Sequence, residues 1–275
     1  MKTHVIYKIG LLVSVLFVSI SCKQDMTNNF MTISINSEKA LELYQNGYEI
    51  AYDVVELEKA VSYYEQAIKE DSNFFMAYYQ LATFHLFHNN DEKFEENAIA
   101  GINCNTKLSK GEEIQKKALV KWLKDKNSNN SNLGLELVDL YPNYADAYIN
   151  LGFYYYLNKD YDKAISAFFK ADSIGIKGDY YCGPKLAIVP ICMLGYAYLI
   201  TDQLDNAKSC FDHYIELFPD DQNPYDCKGD YFIQIKKYDK AYESYLKAYS
   251  FDTTFQMFYE RALKAKLLYD SIINE

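Results

Sequence analysis

His85 and His88 stand three residues apart, as do Cys210 and His213, so each pair would place two metal ligands on one face of a helix. A structural zinc ion takes four such ligands, and each pair, on a different predicted helix, supplies only two. Between Asp125 and Glu136, oxygen-bearing residues fall at the first, third, fifth, seventh and twelfth places, the pattern of a calcium loop. Asn130 stands where the sharp turn of such a loop calls for glycine, and Asn132 where an apolar residue is usual. A polar turn between two helices accounts for the same run. A glycine-rich phosphate loop, a serine elbow and the motif HExxH are all missing. The sequence therefore reads as non-catalytic, with no cofactor or metal implied.

What holds these residues is a chain built for long regular elements. Apolar residues make up 49%, and only five prolines and eleven glycines interrupt 275 residues. The formal net charge is -10. Lysines are scattered without a basic stripe, which excludes nucleic acid as a partner on electrostatic grounds. Beyond residue 22 the cysteines are Cys104, Cys182, Cys192, Cys210 and Cys227. An odd number, irregular spacing and no CxxC do not make a disulfide framework, although a single bond in an oxidising compartment stays open.

The N-terminus has a composition of its own. Lys2 and Lys8 precede the apolar run Ile9–Ile20, which is shorter than the ~20 residues of a membrane span. It ends in Ser19-Ile20-Ser21-Cys22, which resembles the lipobox of bacterial lipoprotein precursors, with Ser19 where leucine is commonest. That resemblance implies a signal peptide over 1–21, a lipidated Cys22 as mature N-terminus, and a flexible tether over 22–37. Two or more acyl chains anchor stably because each buried methylene contributes ~0.8 kcal/mol. Lys23, in the place where aspartate favours retention, points by the same resemblance to the outer membrane.

From residue 38 to 275 the chain repeats itself. Gly195, Tyr198, Ala207, Phe211 and Pro219 recur 34 residues on as Gly229, Phe232, Ala241, Tyr245 and Thr253. Upstream, Tyr148, Leu151, Gly152, Tyr155, Ala164, Phe168 and Ala171 keep the same relative places, as do Tyr44, Ala60, Tyr64 and Ala67. Small residues at fixed places let paired helices approach, and bulky ones fill the space between pairs. This pattern resembles the tetratricopeptide repeat. The resemblance implies an all-α, right-handed α-α superhelix of about six helix-turn-helix repeats. These begin at Leu41, Phe75, Gly111, Ala145, Ile188 and Gln222, and a capping helix runs from Gln256 to about Ile273. The repeat at 75 has Phe94 in place of the small residue. Extra residues over 175–184, with Gly178, Tyr180 and Tyr181, break the rhythm before the fifth repeat.

Such arrays bind an extended segment or helix of a partner along the surface lined by the first helix of each repeat. Carried over by position, that surface holds Tyr79 and Phe87, then Leu119 and Trp122, Ile149, Phe153 and Tyr156, and Tyr196. Acidic residues stand at its ends, Glu42, Glu49 and Asp53 on one side, Asp226 and Asp230 on the other. An aromatic centre gains by desolvation, and acidic ends would favour a partner with flanking Lys or Arg. The same positions also serve packing between neighbouring first helices, and the sequence leaves both readings open. The expectation is a non-catalytic lipoprotein scaffold for proteins at the cell envelope, anchored in the outer membrane on its periplasmic or its surface face. Outer-membrane protein assembly and, less directly, glycan capture are the alternatives.

Overall fold

A computed structural model describes residues 31–51, 56–175 and 188–273. The expected signal peptide over 1–21, Cys22, Asp53 and nearly all of the insertion at 175–184 lie outside these residues. Among the described residues there are thirteen helices and no strand. The first helices of the repeats are α1 (Glu38–Ile50), α3 (Phe75–Phe87), α5 (Lys110–Lys124), α7 (Ala145–Leu157), α9 (Ile188–Ile200) and α11 (Asn223–Gln234). Their partners are α2 (Leu57–Glu70), α4 (Asp91–Ile102), α6 (Ser131–Leu140), α8 (Tyr161–Gly175), α10 (Leu204–Leu217) and α12 (Tyr238–Phe251), and α13 (Gln256–Ile273) closes the stack. Each helix packs on the next in chain order, which is a solenoid. The fold expected from the 34-residue period is the fold observed.

The small and large positions do what their sizes dictate. A Cβ added to Gly152 would stand 2.5 Å from Phe168 Cε1, so only glycine admits that ring. Gly195 against Phe211 and Gly229 against Tyr245 repeat the contact. Ala60 with Tyr64, Ala164 with Phe168, Ala207 with Phe211 and Ala241 with Tyr245 are all buried. In the second repeat the order is reversed, Phe94 then Ala98, and both have 0% exposure. The total volume is kept while the two places exchange sizes, a change that cores accept.

The turn inside four of the repeats, the second and the fourth to sixth, is equally regular. Asn89, Lys159, Asp202 and Lys236 have φ of 55°, 60°, 58° and 57°. Each stands just beyond a first helix, and the following amide reaches back five residues, as Asp160 N to Tyr155 O at 3.0 Å and Gln203 N to Tyr198 O at 2.8 Å. That is a left-handed helix stop, here made without glycine. On the N-terminal side, Ser37 and Ser109 cap α1 and α5, and Ser109 forms a capping box with Glu112.

The end of the expected tether is not free. Residues 31–36 form a strap, outside any helix, that is seated on α5 and the end of α2. Met31 is buried over Gly111 and Tyr141, and Ile33 and Ile35 pack on the core. Ser34 donates to Glu112 through its amide (2.8 Å) and its hydroxyl (2.6 Å). The Asn36 amide donates to Asp71 Oδ2 at 2.8 Å. Alternating apolar residues at 31, 33 and 35 give the strap one greasy edge, and two buried carboxylates take its polar groups.

Candidate functional site

Between α1 and α8 the face lined by the first helices closes on itself. Tyr48 Oη of α1 donates to Asp146 Oδ1 of α7 at 3.1 Å, across 98 residues of sequence. The hydroxyls of Tyr79 and Tyr154 meet at 3.2 Å, and Tyr79 also reaches Asn150 Oδ1 at 3.4 Å. Trp122 stands edge-on to Tyr154 with ring centroids 5.6 Å apart. Tyr79, Leu119, Trp122 and Ile149, for which the sequence left groove and packing both open, are buried in the core, with Trp122 only 2% exposed. Burial pushes the Tyr154 hydroxyl up to about 12, so it stays neutral and bonded.

What the closure leaves open is a pocket of about 300 Å³. Its walls are aromatic: Tyr48 and Tyr64 from the first repeat, Tyr79, Phe84 and Phe87 from α3, Trp122, Phe153 and Tyr154. Gln80, Thr83, His88 and Asn150 add polar groups, and Met193 of α9 reaches in from the fifth repeat. The pocket brings together four of the expected residues, Tyr79, Phe87, Trp122 and Phe153. Phe87 is 43% exposed and its ring lies 5.9 Å from that of Phe153. Tyr156 is half-buried beside Tyr161, away from this lining. Tyr48, Tyr64 and Phe84 stand outside the expected set. Their place in the repeat marks them as packing residues, and only the long-range contact of α1 with α7 turns them toward a common space.

The expected acidic end is different again. Arg261, the one arginine in the sequence, reaches from α13 to both carboxylates on α11. Its Nη1 meets Asp226 Oδ2 at 2.5 Å, and its Nη2 pairs with Asp230 Oδ1. Asp230 also accepts from Tyr196 Oη (2.8 Å) and Tyr245 Oη (2.7 Å). Asp226 is buried, and burial outweighs the guanidinium to lift its carboxyl to about 7. Both acids are thus tied to the cap helix through Arg261. The signal was legible: a solitary arginine among many lysines suits a bidentate bridge that lysine cannot make.

The residues with metal-ligand spacing do not converge. His88 Nδ1 lies 2.8 Å from Phe84 O, and His213 faces Glu216 at 3.4 Å. In the Asp125–Glu136 run, Asp125 Oδ1 accepts from Asn127 N, Asn129 Oδ1 accepts from Ser131 N, and Glu136 turns to Lys117. Asn130 is buried under α5. Among the described residues no three His, Cys, Asp or Glu side chains form a metal-holding group.

Two segments match models of the tetratricopeptide repeat, residues 133–166 and 191–221. No curated protein matches the chain. Among solved structures it is similar to a thermophilic tetratricopeptide repeat protein of Thermus thermophilus, at 17% identity and a TM-score of 0.50, covering 83% of this chain and 99% of that one. It is also similar to the APC/C hetero-tetramer Cut9-Hcn1, at 13% identity and a TM-score of 0.51, covering 82% of this chain and 46% of that one. These likenesses concern the fold, and they agree with it.

Proposed function

We propose that this tetratricopeptide solenoid is a non-catalytic scaffold that holds a partner protein by one inserted apolar side chain, while a lipid on Cys22 keeps it at the membrane of the cell envelope, the outer membrane by its sorting residue. The aromatic pocket carries the reading. It is large enough for a phenylalanine- or leucine-sized group, and its rim residue Phe87 already stands in solvent. Burying such a side chain contributes about 2–3 kcal/mol, and aromatic walls add favourable ring contacts. The polar groups on those walls, Gln80, Thr83, His88 and Asn150, include no carboxylate to orient the imidazole for acid-base work.

Cross-linking in intact membranes tests the pocket, with a photoreactive phenylalanine placed at His88, an exposed position on its rim. Adding Phe87→Lys should reduce recovery of the cross-linked partner at least ten-fold. Adding Phe169→Lys instead, at a position 62% exposed on α8, should leave recovery unchanged. Equal recovery from both variants removes the pocket from the reading. Cys22→Ala should move the protein from the membrane to the soluble fraction; retention on the membrane removes the anchor.

A further inference from the structure

Cys192 on α9 and Cys227 on α11 bring their sulfur atoms to 3.6 Å across the boundary between the fifth and sixth repeats. Of the four described cysteines, Cys104 turns its thiol back to Ala100 O on α4, the helix it follows, and Cys210 packs against the core, where burial pushes its thiol up to about 11. Cys192 is half-buried and Cys227 buried. A disulfide has a sulfur separation of about 2.05 Å, so closure asks for a movement of roughly 1.5 Å, within reach of a side-chain rotation and a slight approach of two helices. The geometry points to Cys192 and Cys227 as a redox modification site, a thiol pair that an external disulfide converts to a cross-link between adjacent repeats.

The chemistry is two exchange steps. The Cys192 thiolate, the more accessible, attacks one sulfur of a small oxidised disulfide. That S–S bond breaks, a mixed disulfide forms on Cys192, and the first small thiolate leaves and takes a proton. Cys227 then attacks the Cys192 sulfur, the mixed disulfide breaks, and the second small thiol departs with the proton from Cys227. Two protein thiols are oxidised and one external disulfide is reduced. Contact with Cys192 and burial raise the Cys227 thiol well above its ordinary range, which slows the second step. Holding the sulfurs side by side offsets this, because the attack is intramolecular.

The bond would sit in the wall of the polar network. Tyr196 Oη approaches both Cys227 Sγ, at 3.6 Å, and Asp230 Oδ2, at 2.8 Å. Oxidation removes the thiol from this set and leaves Tyr196 to Asp230 alone. It also closes a loop that contains α10, tying the fifth repeat to the sixth where α9 and α11 otherwise touch little.

The test uses the full chain, reduced and then exposed to oxidised glutathione, followed by alkylation and peptide mapping. The expected result is loss of two titratable thiols together and a peptide joining Cys192 to Cys227, reversed by dithiothreitol. In Cys227→Ala, a glutathione adduct should accumulate on Cys192 and remain. Hydrogen exchange across α9 and α11 should slow in the oxidised wild type and be unchanged in the variant. A stable glutathione adduct on Cys192 in the wild type would overturn the inference, as would pairing of Cys192 with Cys210, or both thiols staying alkylatable.

Discussion

The stretch from α1 to α8 and the stretch from α9 to α13 use the same repeat and finish it differently. In the first, tyrosines, phenylalanines and Trp122 bridge first helices several repeats apart, and one large core cluster runs from Met31 through α8 and on to Val189 at the start of α9, with a small second cluster joining Phe168 of α8 to Leu194 of α9. In the second, the apolar clusters are smaller and separate, and the inward face carries Tyr196, Asp226, Asp230, Tyr245 and Arg261 bound to one another. Spacing of small and large residues fixes how helices pair. The residues that point inward decide whether the curve of pairs shuts around an apolar pocket or is pinned by charge.

The contrast breaks most visibly at Trp122. Trp122→Ala should cost about 3–5 kcal/mol and raise hydrogen exchange in α3, α5 and α7 while leaving α11 to α13 protected. Equal loss in both stretches would mean that they unfold as one unit. Arg261→Ala strips two acids of their counter-charge and should cost about 1–3 kcal/mol, with exchange rising in α11 and α13 alone. Protection of those helices unchanged in that variant would reduce the network to decoration.

A finer comparison comes from pH. Asp226 binds its proton more tightly folded, at about 7, than its ordinary 3.8, so its share of stability is full below that lower value and declines as pH rises toward 7. Between about pH 4 and 7 the C-terminal stretch should therefore lose stability with rising pH relative to Asp226→Asn, in which this slope vanishes. Parallel melting curves for the two proteins across that window would contradict it. The smallest effect should be the same in both stretches: Lys159→Gly and Lys236→Gly relieve a left-handed backbone and should each gain about 0.5–1 kcal/mol. Unequal gains in urea titrations would show that the two turns, alike in φ, sit under different loads.

These outcomes divide along what the sequence could carry. Gly152, Gly195 and Gly229, with the rings sixteen residues later, announce the pairing because that contact is local and recurs. The start of each repeat follows, and α3, α7, α9 and α13 begin where the period places them. The groove was less legible. Position in the repeat marks Tyr79, Leu119, Trp122 and Ile149 as inward, which they are, but how tightly the solenoid winds depends on contacts such as Tyr48 with Asp146 that no period encodes. Tight winding decides for packing at these four positions, so truncating Trp122 acts on folding before it acts on any partner. Asp226 and Asp230 were legible as acids, while their neutralisation by Arg261 needed a lone residue to be weighed by its rarity. Polar composition suggests slack over 22–37, and an alternation of only three apolar residues, Met31, Ile33 and Ile35, is too short a signal to set against it.

Those three residues change how far the molecule could range. With Cys22 lipidated, a free segment ending at residue 37 would let the solenoid roam roughly 50 Å from the bilayer. A strap seated from Met31 onward cuts the leash to roughly 30 Å. On the lipid-anchor reading, the pocket thus patrols a thin shell close to the lipid head groups, where only partners that are themselves at the membrane come within its grasp.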